Sequence, residues 1–212
     1  MCNYLLRLGW SHGDDEIISR EQAIEWFDLD GVGQAPARFD IAKLDSLNAH
    51  YLREIPEPDL LGAVVEQLAL HLERAIDDEA RQRVARGLAE LKKRAKTLRE
   101  LAESARFYVE RPQFPLTNAK AAKLLKGEAL GRLAKVAETL AAHQESDWSV
   151  SALEVQLRGL AEDLGVGLGK LAQPLRAAVT GTNVSPGIFE VIAILGQKET
   201  LARIDRATSG AT

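Results

Sequence analysis

The chain has 212 residues, 46% of them hydrophobic and 27% charged, with a formal net charge of −4. That length and balance fit one large globular domain or two to three small ones, and exclude a disordered tail. No apolar run approaches the ~20 residues of a membrane span, and the opening Met-Cys-Asn-Tyr-Leu-Leu-Arg lacks the basic and apolar regions of a signal peptide.

Helical signals dominate from the start. Residues 1–10 place Tyr4, Leu5 and Leu8 for a short amphipathic segment closed by Gly9, and Ser11-His-Gly-Asp-Asp15 is a turn. Ser19-Arg-Glu-Gln22 is a capping box that opens a helix through Ala23, Ile24, Trp26 and Phe27. Gly31-Val-Gly-Gln-Ala-Pro36 is a loop, after which Asp40 starts a helix carrying Leu44 and Leu47. Ile55-Pro-Glu-Pro58 is the first candidate linker, because two closely spaced prolines cannot continue a helix. Residues 59–74 repeat apolar side chains at Leu61, Val64, Val65, Leu68 and Leu72. Residues 79–109 read as one long helix, with Val84, Leu88, Leu91, Ala95, Leu98 and Ala102 on a single stripe. Arg111-Pro-Gln-Phe-Pro115 breaks the chain, and residues 117–125 and 130–143 form a helical pair around Gly127. Gln144-Glu-Ser-Asp-Trp148 is a polar joint and the second candidate boundary. Ser151-Ala-Leu-Glu154 is a capping box for a helix ended by Gly165, and Pro174 suits the first turn of a helix over 175–179. Ser185-Pro186 has the form of N-cap and N1, Gly196 closes that helix, and 197–207 forms the last. β-alternation is almost absent and no period of 20–50 residues recurs. The expected fold is all-α, a bundle or cage of about ten helices in consecutive subdomains.

The charge is unevenly spread. Residues 1–80 carry a net −11, residues 81–135 a net +10, and residues 136–212 a net −3. A polyanion responds to the field within roughly 8–10 Å, so the basic middle matters more than the total. Two readings fit: a surface that grips nucleic acid, or a pair of solvated basic helices. The single cysteine, Cys2, excludes internal disulfides and fits a reducing cytosol; with His12, His50, His71 and His143 it shows no metal-ligand spacing.

No catalytic signature is present: no Gly-Lys-Ser/Thr phosphate loop, no strand-borne G-x-G-x-x-G, no H-E-x-x-H and no G-x-S-x-G. Asp14, Asp15 and Glu16 form an acidic turn without a partner acid, and His12 and His50 lack an orienting group in sequence, so they read as surface or boundary residues. Trp10, Trp26 and Trp148 fall on apolar faces and read as core anchors rather than base-stacking platforms.

Two stretches carry more than periodicity. Leu8-Gly-Trp-Ser11, followed by Phe39-Asp-Ile-Ala-Lys43-Leu44-Asp-Ser-Leu47-Asn48-Ala-His-Tyr51-Leu-Arg53, resembles the stem-contact region just after the catalytic domain of bacterial glutamyl-tRNA synthetases. Leu168-Gly-Lys-Leu-Ala-Gln173-Pro174-Leu175-Arg176-Ala-Ala-Val-Thr180-Gly181, then Ser185-Pro-Gly-Ile-Phe189-Glu190, resembles that family's last helical anticodon-binding subdomain. The resemblance runs along essentially the whole chain. It implies a stem-contact region over 1–56, a first helical anticodon-binding subdomain over 57–144 and a second over 145–212. It implies tRNA(Glu) as partner, with tRNA(Gln) left open, a monomer, a cytoplasmic location and no membrane. ATP and Mg2+ belong to the family's catalytic domain; the HIGH and KMSKS-type motifs do not occur here, so no cofactor is expected in this chain and it is expected to be inactive alone. One departure is Ser46, where relatives usually carry an aromatic, which implies looser packing of that helix.

The resemblance places anticodon contacts at Arg94, Arg176 and the turn of Ser185, Pro186, Ile188 and Phe189. Arg94 matches an arginine that reads the last anticodon base, work that suits a planar fork able to make two hydrogen bonds to an unstacked base edge. The alternative is an ordinary member of the basic cluster Lys92, Lys93, Arg94, Lys96 and Arg99. In the 185–189 turn, free helix N–H groups and exposed apolar groups would serve hydrogen bonding and stacking, with a plain N-cap as the compatible alternative. Weaker backbone contacts are expected at Arg38, Lys43, Arg53 and Lys93. Two other readings stand beside this one: the tail of a class I lysyl-tRNA synthetase, and a helical protein-interaction module without an RNA role.

Overall fold

The computed structural model describes residues 2–33 and 38–210. The expected loop over 31–36 therefore lies partly outside the described residues. Among them are twelve α-helices and one 3-10 turn, and no strand.

The first region holds α1 (Cys2–Leu6), α2 (Arg20–Trp26) and α3 (Ile41–Glu54). The Ser19–Gln22 capping box forms as expected, with both reciprocal bonds present, and Asp40 caps α3 through Lys43 N. This region has few buried apolar residues, so polar side chains hold it. Asn3 donates to Glu16 O at 2.9 Å and accepts from Ile18 N at 2.7 Å and from the Tyr51 hydroxyl at 2.9 Å. The Tyr4 hydroxyl accepts from Asp40 N at 2.6 Å and donates to Asp40 O at 3.0 Å. Each of these backbone groups would otherwise be a buried or half-buried orphan, so two side chains tie α1 to both ends of α3. Trp10 is buried as expected, and His12 stacks on Trp26 at 4.3 Å between ring centroids, which gives that histidine a packing role.

The expected linker at Ile55-Pro-Glu-Pro58 is a two-residue corner. Helix α4 (Glu57–Leu72) starts at once, because a proline in the first turn gives up only an N–H that has no intrahelical partner there. Lys92 clamps the corner, donating to Ile55 O at 2.9 Å and pairing with Glu57 at 2.7 Å. That hydrogen bond draws the Glu57 carboxyl below its ordinary range.

The single helix expected over 79–109 is two: α5 (Asp78–Lys92) and α6 (Leu98–Val109). The cause is local. Thr97 Oγ1 accepts from Glu100 N at 3.1 Å, and the Glu100 carboxylate accepts from Lys96 N at 2.9 Å, a capping arrangement that restarts the helix. Because α5 and α6 keep the same apolar set facing inward, α4, α5 and α6 pack as a three-helix layer around Val64, Leu88 and Leu101. Gly87 lets α5 approach α6 closely: a Cβ there would lie 2.3 Å from the Tyr108 ring. Gly87→Ala is therefore expected to destabilise by up to about 2 kcal/mol, overpacking of about 1–3 kcal/mol being set against a helix-propensity gain of about 1 kcal/mol. The urea unfolding midpoint measures it.

The second half comprises α7 (Ala119–Leu124), α8 (Glu128–Ala141), a 3-10 turn (Glu145–Asp147), α9 (Val150–Asp163), α10 (Gly169–Thr180), α11 (Ile188–Leu195) and α12 (Gln197–Ser209). Three starts differ from expectation. Ser149 rather than Ser151 caps α9, accepting from Ala152 N. Helix α10 begins at Gly169, so Pro174 sits inside it, buried, rather than in its first turn. Gly187 rather than Ser185 is the N-cap of α11, for a reason given below. Helix α8 packs on α10 and α12, and one core runs from Leu52 to Ala207 across both expected divisions. Trp148 Nε1 donates to Ile192 O at 2.8 Å, and Gln197 Nε2 donates to Leu140 O and His143 O at 2.8 Å each, so the polar joint is fastened from both sides.

Candidate nucleic-acid interface

A cleft of about 790 Å³ opens where the α5–α6 turn, the outer face of α6, the linker after α6 and the loop after α10 meet. A buried charged network adjoins it through Arg111 and Phe107. Arg203, only 1% exposed, donates through Nη1 to Phe107 O and Val179 O at 2.7 Å each, joining the ends of α6 and α10. Glu199 accepts from Arg203 Nε at 2.7 Å and, bidentately, from Arg111 Nε and Nη2. Burial alone would raise the Glu199 carboxyl, but the hydrogen bonds from Arg111 and Arg203 overcome it and hold it below its ordinary value. Gly181, the left-handed cap of α10 at φ 72°, brings the loop against Pro112; a Cβ would meet Pro112 at 3.2 Å.

Arg94 stands in the α5–α6 turn rather than on a helix, and it lines the cleft. Its Nη1 donates to Ser185 O at 2.9 Å. Arg176, half-buried on α10, donates through Nη1 to the same Ser185 O at 3.0 Å, to Pro186 O at 2.8 Å and to the Ser185 hydroxyl. Burial, and then the neighbouring Arg94 charge, hold the Arg176 guanidinium below the ordinary arginine value. Neither arginine forms an ion pair among the described residues, although Glu90, Glu100, Glu103 and Glu110 all border the cleft. Two like charges thus converge on one carbonyl with no carboxylate between them.

The sequence-expected residues do not all reach this cleft. Arg94, Ser185 and Pro186 line it, while Arg176 is not among the lining residues and reaches the loop from α10 through its hydrogen bonds. Ile188 is 4% exposed and belongs to the core, and Phe189 is half-buried against it, so the expected exposed apolar group at Ile188 is corrected to a core residue. Ser185 is buried: its hydroxyl donates to Pro186 O at 2.9 Å and accepts from Arg176, which is why it cannot cap α11. Glu190 lies in the first turn of α11 beside Gly187, so that helix end faces a negative charge of the chain's own. Lys93 pairs with Glu90, and Lys43 pairs with Glu16 at 3.2 Å. Arg38, Lys43 and Arg53 belong to the first region and do not line the cleft. Sequence reasoning missed Val184, 65% exposed at the rim, and the linker residues Gln113, Phe114 and Thr117. An aromatic between two prolines was the available signal for the linker; Val184 gave none.

The family model described as "Anticodon binding domain" matches residues 59–208. Over 205 residues the chain is 51% identical to "Glutamate--tRNA ligase 1" of Sphingopyxis alaskensis, covering 97% of this chain and 42% of that protein. Over 212 residues it is 50% identical to "Glutamate--tRNA ligase 2" of Paramagnetospirillum magneticum, covering 99% of this chain and 44% of that one. The crystal structure of a glutamate tRNA ligase from Elizabethkingia meningosepticum in complex with its amino acid matches with a TM-score of 0.84 at 25% identity, over 100% of this chain and 41% of that chain. The chain therefore spans less than half the length of the relatives it matches.

Proposed function

The chain belongs to the anticodon-binding domain family, and from that premise we propose that it recognises tRNA(Glu) by its anticodon. On this reading it is the tRNA-binding part of a glutamate–tRNA ligase, a class I aminoacyl-tRNA synthetase acting in the cytoplasm. The ATP- and Mg2+-dependent attachment of glutamate lies elsewhere in such an enzyme, and this chain alone is inactive.

One observation carries the proposal. Of the cations lining the cleft, Arg106 is engaged by Glu103 and Glu110 and Arg111 by Glu199, whereas Arg94 has no carboxylate partner among the described residues. Holding an arginine by a neutral carbonyl fixes its position and leaves its charge unneutralised, as a reader of nucleotides requires. The surrounding glutamates repel phosphate, so the backbone runs outside while an unstacked base enters. Arg94, Ser185 and Pro186 are the cleft contacts on this view, with Val184 at the rim. Arg38, Lys43, Arg53 and Lys93 are secondary candidates for the RNA backbone.

The test is a gel shift of the monomeric chain with tRNA(Glu) and tRNA(Gln) at 50 and 200 mM salt. The expected result is binding to tRNA(Glu) that weakens with salt, tRNA(Gln) binding either weaker or equal according to which tRNAs the whole enzyme charges. Tighter binding of tRNA(Lys) would favour the lysyl-tRNA synthetase reading. Binding to no tRNA at either salt would leave a protein-interaction module and end the proposal.

A further inference from the structure

The lining of the cleft divides by charge. Glu90 of α5, Glu100 and Glu103 of α6, and Glu110 just after α6 supply all of its carboxylates. The rest of the lining, from the linker over 112–117 and the loop over 180–186, has none. These two pieces belong to longer segments, 112–127 and 164–189, and neither segment contains an aspartate or glutamate, although the chain carries 31. The segments are far apart in sequence and packed together in space. Helix α7 lies on α10, Gly181 rests near Pro112, and Asn118 Nδ2 donates to Asn183 Oδ1 at 3.4 Å. One carboxylate-free face therefore starts at the cleft rim and continues along α7.

Helix α7 sets cations on that face. Ala121 is buried, as is Leu125 just past the helix end, which leaves Lys120, Lys123 and Lys126 exposed. No ammonium of the three has an ion-pair or hydrogen-bond partner among the described residues. Lys43, Lys92 and Lys93, by contrast, each meet a glutamate. Solvated surfaces intersperse both signs of charge, whereas this face carries one.

On the reading proposed above, we infer that α7 grips the ribose–phosphate backbone of the RNA strand whose base enters the cleft, with Lys120, Lys123 and Lys126 as the phosphate contacts. A strand that sends a base inward must carry its phosphates past the rim. The α6 carboxylates repel them there, and the α7 face attracts them. Lysine suits the task because it is a compact point charge with rotatable donors and no fork for a base edge. The labour is thus divided: the cleft reads a base, and α7 holds the backbone.

The experiment uses the full chain and two probes. One is the tRNA(Glu) anticodon stem-loop with its variants at the last anticodon base; the other is oligouridylate, a strand with no anticodon to read. The variants are the three single Lys→Gln changes at 120, 123 and 126, the triple Gln variant, the triple Arg variant, and Lys198→Gln. Lys198 lies at the start of α12 beside Glu199, outside the carboxylate-free face, and controls for loss of one charge. Circular dichroism checks that each variant folds.

Each single Gln change is expected to reduce the salt slope by ~0.7 on both probes, and the triple Gln variant by about 2. The triple Arg variant keeps the wild-type slope, and so does Lys198→Gln. The affinity ratio between stem-loops stays at its wild-type value throughout, because phosphate contacts carry no base information. An unchanged slope in the triple Gln variant overturns the inference. So does a fall in Lys198→Gln equal to that in Lys123→Gln, which would report net charge alone, or loss of the base ratio in the triple Gln variant. A wild type with no base ratio would instead remove anticodon reading, and the oligouridylate slopes would still decide whether α7 holds the backbone. Binding to neither probe ends both.

Discussion

Replacing Glu199 with alanine is expected to cost about 3–5 kcal/mol of folding stability and to lower Tm by on the order of 10 °C. The size follows from what is left behind. Arg203 is 1% exposed and cannot reach water, so without Glu199 its charge keeps only the carbonyls of Phe107 and Val179. Arg111, nearly half exposed, supplies the control: Arg111→Met should cost less than about 1 kcal/mol, since water replaces its partner. A loss for Glu199→Ala no larger than for Arg111→Met, in urea or thermal unfolding, would show that Arg203 is not held as described. The same carboxylate gives a pH signature. Its folded-state value is depressed, so its stabilisation is fully present above the ordinary value of 4.5 and is lost as pH falls through the lower, folded-state value. Wild-type stability should therefore drop more steeply than that of Glu199→Gln as the pH is lowered through that window.

Reversing one charge in the cleft should have the largest effect on binding. Arg94→Glu is expected to weaken tRNA(Glu) binding about a hundredfold while leaving the unfolding midpoint unchanged or raised. The new carboxylate would pair with Arg176, relieving the like-charge contact that adds to burial in depressing that guanidinium. It would also complete an acidic wall with Glu100 and Glu103, closing the cleft to a polyanion. Fluorescence anisotropy at one fixed salt concentration, beside a denaturation curve, measures both. An affinity within about threefold of wild type would remove Arg94 from the interface.

Those effects are read from tertiary contacts, and little of that was legible in the sequence. Helix identity was: apolar spacing and the caps at Ser19 and Asp40 are local, and they formed as expected. The break between α5 and α6 was missed because a continuous apolar stripe from Val84 to Ala102 outweighed a single Thr97–Glu100 cap. The stripe survives the break because both helices pack on α4, so periodicity could not reveal it. Ser185 failed as an N-cap for a non-local reason: Arg176, nine residues earlier, takes its hydroxyl into another network. Ile188 failed likewise, since only the packing of α11 on α9, α5 and α12 decides that it faces inward. The resemblance placed Arg94 and the 185–186 turn in one site, and the geometry brings them together. It could not separate the arginine that lines the cleft from the one that does not.

The central claim is that an arginine held by a carbonyl, and left without a counter-charge, reads an anticodon base. It is tested most directly by measuring wild type and Arg94→Gln against a tRNA(Glu) anticodon stem-loop and its variants at the last anticodon base. Wild type should prefer the cognate base by roughly tenfold, and Arg94→Gln should flatten that preference by lowering cognate affinity about tenfold while changing that for the other stem-loops by less than about threefold. Equal binding of all the stem-loops by wild type, or an unchanged preference in Arg94→Gln, would contradict the account.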